Sequence, residues 1–335
     1  MKKNRIYAVL AMVLSLALLI SGCGGQAGEN KEKPAEEGAK DKKVVIGFSQ
    51  CTLDSPFYVA LMDAAKAQAA AQGAELVYVD AQNDIEKQNK DIQDLITKGI
   101  DVLILNPVNP SGVSPSLQAA KQNNIPVITV DRPTDTPVAT FVGRDNKKMG
   151  EAAGQEAVNL LGGEGKARGK IIELQGDAGG KVMMDRRDGF HAAVDKEAGI
   201  KVVQGPYCNY VRSEAVKAFQ DLLQANPDVN LVYAHNDDMA LGALQVLEQN
   251  KMADKVKIVG IDGLMEAIKA IEGGKYNATV LNDPALLGKI VTDTALGVLK
   301  GEKYPEFIDA GTGLITKENA ASYVNDKLVF AETQK

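Results

Sequence analysis

Short, unbroken Val/Ile/Leu runs alternate with segments of helical spacing from Lys43 to Lys300, and this alternation limits what the chain can become. An apolar run without polar alternation reads as a strand buried on both faces. Such strands belong to parallel sheets covered by helices. The first series of runs is Val44–Phe48, Leu76–Val79, Val102–Leu105, Val127–Val130 and Ala139–Val142. Helical segments separate them at Pro56–Gln72, Ile85–Lys98 and Ser111–Asn123. The first of these carries Phe57, Ala60, Leu61, Ala64 and Ala65 on one face. The second series has strands at Lys170–Leu174, Val202–Gln204, Leu231–Ala234, Ile258–Ile261 and Ala278–Leu281. Its helices are Asn146–Leu161, Met184–Lys196, Ser213–Ala225, Asp237–Gln249, Met265–Glu272 and Pro284–Lys300. One compact sheet does not hold so many strands. Two doubly wound α/β domains do, with a boundary near Gly143–Asn146. Aromatic residues are only 5% and Trp is absent, so the core must be built from Ala, Val, Ile and Leu.

The first residues read differently. Lys2, Lys3 and Arg5 form a basic patch ahead of an apolar stretch, Ile6–Ile20, too short and wrongly flanked for a comfortable membrane span. It ends in Leu19-Ile20-Ser21-Gly22-Cys23, which resembles the lipobox of bacterial lipoproteins. That likeness implies a signal peptide over 1–22 and a lipid on Cys23. Residues 23–42 hold almost nothing apolar, so they read as a tether with a reach of about 25 Å. The net charge is −6, and it becomes more negative once Lys2, Lys3 and Arg5 are removed. An acidic chain without a basic stripe argues against a nucleic-acid partner. An exported compartment permits a disulfide between Cys51 and Cys208. Two cysteines so far apart in sequence are more often just small buried residues.

In open α/β sheets, ligands sit beyond the carboxyl ends of the strands. The residues that follow each apolar run are therefore the candidate site. They are rich in polar side chains: Ser49 to Ser55 after the first strand, Asp131 and Arg132 after the fourth, and Arg144 to Asn146 after the fifth. In the second half they are His235 to Asp238, then Asp262, then Asn282 and Asp283. Singly, Ser55, Asn236 or Asp283 is a helix cap. The repetition in both halves favours a binding site. Asp131, Arg132, Arg186, Asn236, Asp262 and Asn282 offer planar donors and acceptors that can grip neighbouring hydroxyls. Phe57, Tyr58 and Tyr210 offer flat apolar faces for the C–H side of a sugar ring, or plain core packing.

With these residues the chain resembles the periplasmic sugar-binding family of ABC transporters, its ribose-binding members above all. The likeness spans residues 43–303. It rests on Thr52-Leu53-Asp54-Ser55-Pro56-Phe57-Tyr58-Val59, Ile125-Pro126-Val127-Ile128-Thr129-Val130-Asp131-Arg132 and Arg186-Arg187-Asp188-Gly189-Phe190. Val79 to Asp84 and Leu105-Asn106-Pro107 belong to it as well. Its most telling stretches are Ala234 to Leu244 and Val259-Gly260-Ile261-Asp262-Gly263. The resemblance implies a type I periplasmic binding protein fold with a three-segment hinge. One domain would be 43–144 with 283–311, the other 145–282 with 312–335. It also implies a ligand set of Cys51, Ser55, Phe57, Tyr58, Asp131, Arg132, Arg186, Tyr210, Asn236, Asp262 and Asn282. The expected ligand is a monosaccharide or polyol, with ribose first. The expected partner is an ABC permease with its ATPase, and the protein acts as a monomer without cofactor or metal.

The pattern departs from ribose binders at four of these positions. Cys51 stands where they carry serine, Ser55 where they carry asparagine, Tyr58 where they carry phenylalanine and Asn282 where they carry glutamine. The run Gly180 to Asp185 also does not match the usual small residues before the arginine. Shorter side chains at 55 and 282 leave room for a hexose such as allose or galactose, or for an inositol.

Three other functions compete with this reading. For an enzyme, the chain offers no H-E-x-x-H, no G-x-G-x-x-G after a strand and no G-x-x-x-x-G-K-[ST], and its only histidines are His191 and His235. A repressor would need a DNA-binding helical motif before residue 43. A sugar sensor working with a membrane receptor would look the same in sequence. The implied mechanism is a clamp whose chain crosses between domains near Gly143–Asp145, Leu281–Asp283 and Gly311–Gly313.

Overall fold

The computed structural model describes residues 43–334. The signal segment, Cys23 and the tether lie outside the described residues. The first sheet begins with β1 (Val45–Gln50), α1 (Pro56–Ala71), β2 (Glu75–Asp80), α2 (Ile85–Thr97) and β3 (Val102–Leu105). It continues with α3 (Ser114–Gln122), β4 (Val127–Val130) and β5 (Thr140–Gly143). The second sheet begins after α4 (Asn146–Leu160) with β6 (Arg168–Gln175), α5 (Lys181–Val194), β7 (Gly199–Tyr207), α6 (Arg212–Ala225) and β8 (Leu231–Ala234). It continues with α7 (Asp237–Gln249), β9 (Lys257–Asp262), α8 (Met265–Glu272) and β10 (Ala278–Leu281). Then come α9 (Pro284–Leu299), β11 (Phe307–Asp309), β12 (Leu314–Thr316) and a 3-10 turn at Ala320–Ser322.

The two sheets repeat one topology. The first runs β11-β5-β4-β3-β1-β2 and the second β12-β10-β9-β8-β6-β7. In each, the second strand flanks the first on one side and the third flanks it on the other, so the order reverses at β1 and at β6. Every pairing is parallel except β12 against β10. Strands β3, β4, β8 and β10 are buried along their whole length. This is the type I periplasmic binding protein fold, two doubly wound domains joined by three crossings.

Glycines set how closely the helices approach. A Cβ on Gly288 of α9 would lie 2.5 Å from the Leu61 carbonyl oxygen of α1. That contact seats α9 on the first sheet, although it follows β10 of the second. Helices α4 and α5 press together in the same way. A Cβ on Gly150 would lie 2.2 Å from Arg186 O, and one on Gly189 2.0 Å from Lys147 O. Tyr233 of β8 stacks on Phe190 of α5 with ring centroids 3.8 Å apart. Its hydroxyl donates to Arg186 O at 3.2 Å. These contacts hold α5 against the second sheet and so fix where the Arg186 side chain emerges.

The sequence reading missed β11, β12 and the 3-10 turn, each only three residues long. Helix α5 begins at Lys181, before the expected Met184, and α3 begins at Ser114, after the expected Ser111. The chain passes between sheets at 143–146, 281–284 and 309–314. Cys51 and Cys208 are free thiols, both buried.

Candidate functional site

The carboxyl ends of the strands in the two domains face one another across a cleft. Its inner cavity holds about 280 Å³ of space, mouth included, and is lined by Ser55, Phe57, Tyr58 and Asp131 from the first domain. Arg186, Tyr210, Asn236 and Asp262 line it from the second, with Asn282 at a crossing. Val182 of α5 completes the wall and was not anticipated.

Local backbone geometry explains why the neighbours Asp131 and Arg132 both turn toward the cleft. Side chains alternate along a strand, so Asp131 and Arg132 should point to opposite faces. They do not, because Asp131 sits at φ 62° and Arg132 N–H donates to Val130 O at 2.6 Å. This three-residue turn at positive φ is a rare and strained form. Asp262 ends β9 much as Asp131 follows β4, and it too has positive φ, 130°. Tyr210, a bulky residue for such a conformation, sits at φ 62°. Gly176 clears its path: a Cβ there would lie 2.2 Å from the Tyr210 ring. Strain of this kind persists where the surroundings enforce it, most often at binding sites.

In the first domain, Arg132 Nη2 donates to the Tyr58 hydroxyl at 2.9 Å, and that hydroxyl reaches Asp131 Oδ2 at 3.4 Å. Arg132 Nη1 also pairs with Asp177 Oδ2 of the second domain at 3.2 Å, tying the two sides of the mouth together. Arg132 therefore lines the outer part of the cleft, beside Asp177, rather than the inner cavity. Cys51 lines neither part. It is fully buried, and burial pushes its thiol up to about 11.

In the second domain, all three nitrogens of the Arg186 guanidinium are engaged. Nε donates to Asn146 Oδ1 at 2.9 Å, Nη1 to His235 O at 2.5 Å and Nη2 to Asp262 Oδ1 at 3.5 Å. Asn282 Nδ2 donates to the same Asp262 oxygen at 3.0 Å. Among the described residues, none donates a hydrogen bond to Asp262 Oδ2. Burial raises the Asp262 carboxyl to about 7 against the opposing pull of Arg186. Burial raises Asp131 as well, again against an arginine, Arg132.

Asn236 does two structural jobs: its Oδ1 caps α7 by accepting from Met239 N at 3.0 Å, and its Nδ2 donates to Tyr210 O at 3.2 Å. One amide hydrogen remains for the cavity. Ser55 caps α1 through Phe57 N at 3.3 Å, and its own hydroxyl proton stays free to donate. The Phe57 ring meets Tyr58 edge-on at 5.5 Å between centroids. It also meets Phe330, from the tail of the second domain, at 6.0 Å. Arg132 Nε, Asp177 Oδ1 and Tyr210 Oη are buried and find no hydrogen-bond partner among the described residues. Each such atom costs roughly 1–3 kcal/mol until it is paired.

Other strand-end polar residues serve the scaffold. Asp237 is a buried strut, accepting from Tyr276 Oη at 2.7 Å, Thr279 Oγ1 at 2.8 Å and Leu264 N at 2.8 Å. Asp238 pairs with Arg212 at 2.9 Å. His235 turns inward to Glu173, at 2.9 Å. Sequence reasoning missed Val182, Asp177 and Phe330, because each reaches the site through a contact distant in sequence; Asn146 stood among the strand-end residues but not in the expected ligand set, and it enters the site through Arg186.

The geometry has known counterparts. Residues 46–303 match the family model for a periplasmic binding protein domain. The chain is 35% identical over 311 residues to the ribose import binding protein RbsB of Bacillus subtilis (strain 168), across 92% of this chain and 99% of that protein. Among solved structures it resembles an ABC transporter solute binding protein from Mycobacterium smegmatis with bound glycerol. That likeness has 59% identity and a TM-score of 0.84, covering 87% of this chain and 100% of the other. A solute binding protein from Bacillus halodurans C-125 with bound myo-inositol is 29% identical at a TM-score of 0.78, covering 84% and 97%.

Proposed function

Because the chain belongs to the periplasmic binding protein family, we propose that it is an extracytoplasmic solute-binding lipoprotein that captures a monosaccharide, ribose first, and delivers it to an ABC importer. The observation that carries this reading is the cavity between the domains, where one buried carboxylate on each side stands beside an arginine. Asp131 with Arg132 and Asp262 with Arg186 supply paired acceptors and donors for vicinal hydroxyls. Phe57, Tyr58 and Tyr210 supply apolar faces for the ring. Cys51 enters this reading as packing behind Tyr58 and Arg132. The protein acts as a binder and not as an enzyme.

Sugar bridging the two sides favours the closed arrangement, since only a ligand that contacts both domains shifts the balance between open and closed states. The domain limits in this reading are 43–144 with 283–311, and 145–282 with 312–335. A lipid on Cys23 holds the protein at the outer face of the cell membrane, and the closed monomer docks on its permease. Replacing Cys23 with Ala should abolish incorporation of labelled lipid. Unchanged labelling would refute the anchor.

A polyol or hexose is the second reading. It is favoured by the short side chains of Ser55 and Asn282 and by the glycerol and myo-inositol in the related structures. Calorimetry on the refolded, ligand-stripped protein with D-ribose, D-allose, D-galactose, myo-inositol and glycerol tests both. Micromolar or tighter binding of ribose supports the first reading. Tighter binding of another member of the panel moves the assignment to that sugar or polyol. No binding by any of them refutes the sugar-binding reading.

A further inference from the structure

Arg144 stands at the first crossing between domains, immediately after β5, and is buried to 4% exposure. Its guanidinium touches all three crossings. The side chain belongs to the first crossing. Its Nη1 donates to Asn282 Oδ1 at 2.7 Å and its Nη2 to Asp283 O at 2.9 Å, both in the second crossing. Its Nε donates to Gly311 O at 2.6 Å, in the third. The planar fork of an arginine can serve three acceptors held in different directions, and a lysine ammonium cannot match that arrangement.

The bond to Asn282 also acts on the binding cavity. By taking the amide oxygen, Arg144 leaves the Asn282 NH₂ facing Asp262, to which it donates at 3.0 Å. The Asn282 amide therefore offers the cavity a donor, and Asp262 Oδ1 is occupied while Oδ2 stays open to a ligand. We propose that Arg144 is a positioning residue that fastens the three hinge strands to one another and to the Asn282–Asp262 pair, so that hinge angle and the polarity of the binding site are set together. A ligand that bonds Asp262 and Asn282 then bears on the hinge through one side chain, without touching Arg144 itself. This rests on the proposed sugar-binding reading for its ligand half; the hinge half stands on the protein alone.

The test uses the full folded body with Arg144→Met, Arg144→Lys, Asn282→Ala and the Arg144→Met/Asn282→Ala double variant. Small-angle scattering of the ligand-free proteins reads the hinge, and stopped-flow binding of the tightest ligand of the calorimetry panel reads the site. Arg144→Met should increase the radius of gyration or broaden the distance distribution. It should also weaken binding about ten- to a hundredfold, mainly through faster dissociation. Asn282→Ala should absorb much of that loss, so that the double variant falls well short of the product of the single effects. Arg144→Lys should recover part of the thermal stability but little of the affinity.

Unchanged scattering together with multiplicative losses would overturn the proposal, as would lower melting temperature with unchanged dissociation. If Arg144→Met does not fold, Arg144→Lys carries both readouts with the same criteria. If the wild type binds no member of the panel, the sugar-binding reading fails, and scattering alone decides whether Arg144 fastens the hinge.

Discussion

Asp262→Asn should make the unliganded protein more stable and a worse binder, and the two effects can be measured apart. Asparagine has nearly the same shape and, like aspartate, is among the residues most often found at positive φ, so the backbone at φ 130° need not move. Burial raises the carboxyl from 3.8 to about 7 even with Arg186 beside it. That is about a thousandfold in proton affinity, or roughly 4 kcal/mol at ~1.36 kcal/mol per pKa unit. It is a ceiling on what ionised Asp262 costs the folded state. The sign follows from linkage: an acid with a raised folded pKa costs nothing below its unfolded pKa, near 4. The cost grows as pH rises through about 7. Asparagine never ionises, so the variant should melt with the wild type near pH 4 and several degrees above it at pH 8.

Binding should move the other way. Hydrogen bonds to charged groups contribute roughly 1.5–3 kcal/mol, and a neutral acceptor about half as much. Losing the open Oδ2 as a charged acceptor should weaken the tightest ligand of the panel roughly ten- to a hundredfold. Sugar hydroxyls donating to Oδ2 favour the ionised carboxylate. The wild type, half protonated near pH 7, should therefore release about half a proton on binding there, and the variant none. Calorimetry in two buffers of different ionisation enthalpy reads this directly. A variant that melts below the wild type at pH 8, or that binds as tightly, would refute the reasoning.

Other parts of the molecule yield equally direct tests. Glu173 is fully buried and accepts from both histidines of the chain, His235 at 2.9 Å and His191 at 3.2 Å. Burial alone would raise its carboxyl, but these bonds hold it down to about 2, while the bond from Glu173 lifts His191 to about 9. The Glu173 contribution should be present above about 4.5 and fade as pH falls through 2. That of His191 should be full below about 6.5 and fade as pH rises through 9. Urea unfolding across pH should show Glu173→Gln less stable by about 2–4 kcal/mol and with a flatter alkaline limb. Gly189→Ala puts a methyl 2.0 Å from Lys147 O, so α4 and α5 must separate. It should cost about 1–3 kcal/mol in denaturant titration and weaken ligand binding by displacing Arg186. Tyr58→Phe frees Arg132 and Asp131 from the hydroxyl between them, so calorimetry should show affinity shifting toward ligands with one more hydroxyl. An unchanged order across the panel would argue against a selective role for that hydroxyl.

The elements that could be read from sequence were those whose burial is written in contiguous residues. Val102–Leu105, Val127–Val130, Leu231–Ala234 and Ala278–Leu281 are strands with the bounds expected of them, because each is a short, mostly apolar run buried along its whole length. Phe307–Asp309 and Leu314–Thr316 carry too few apolar residues to stand out, and pairing with β5 and β10 makes them strands. Helix α5 begins at Lys181, ahead of the expected Met184; Gly180 precedes it without a side-chain cap, so no local mark shows its start. The cavity residues were legible for a similar reason: strand ends point to one place in this topology, so Asp131, Asp262 and Asn282 could be named from position. What position does not show is how a side chain is spent. Arg144 stood in the same strand-end list, yet its three bonds run to residues 282, 283 and 311, and no local pattern predicts them. Asp177 and Phe330 meet Arg132 and Phe57 only once both domains are assembled.

The two halves of the cleft share a construction that bears on how closure can depend on ligand. In each domain a carboxylate stands at the end of a central strand at positive φ, faces an arginine and is raised by burial. Burial that raises a carboxyl is a free-energy cost on its ionised form, and bringing the domains together imposes it on both sides at once. The arginines offset it only in part, since each divides its donors among several partners: Arg186 bonds Asn146 and His235 O besides Asp262, and Arg132 bonds Tyr58 and Asp177. In the proposed function a ring of hydroxyls would supply what is lacking, donating to the open carboxylate oxygens and accepting from the remaining N–H groups of Asn236 and Asn282. In the proposed mechanism, closure without ligand thus sets desolvation of two carboxylates against the Arg132–Asp177 pair and the Phe57–Phe330 contact. Closure around ligand adds hydrogen bonds to both carboxylates, and it is this difference, rather than the strength of any single contact, that moves the equilibrium.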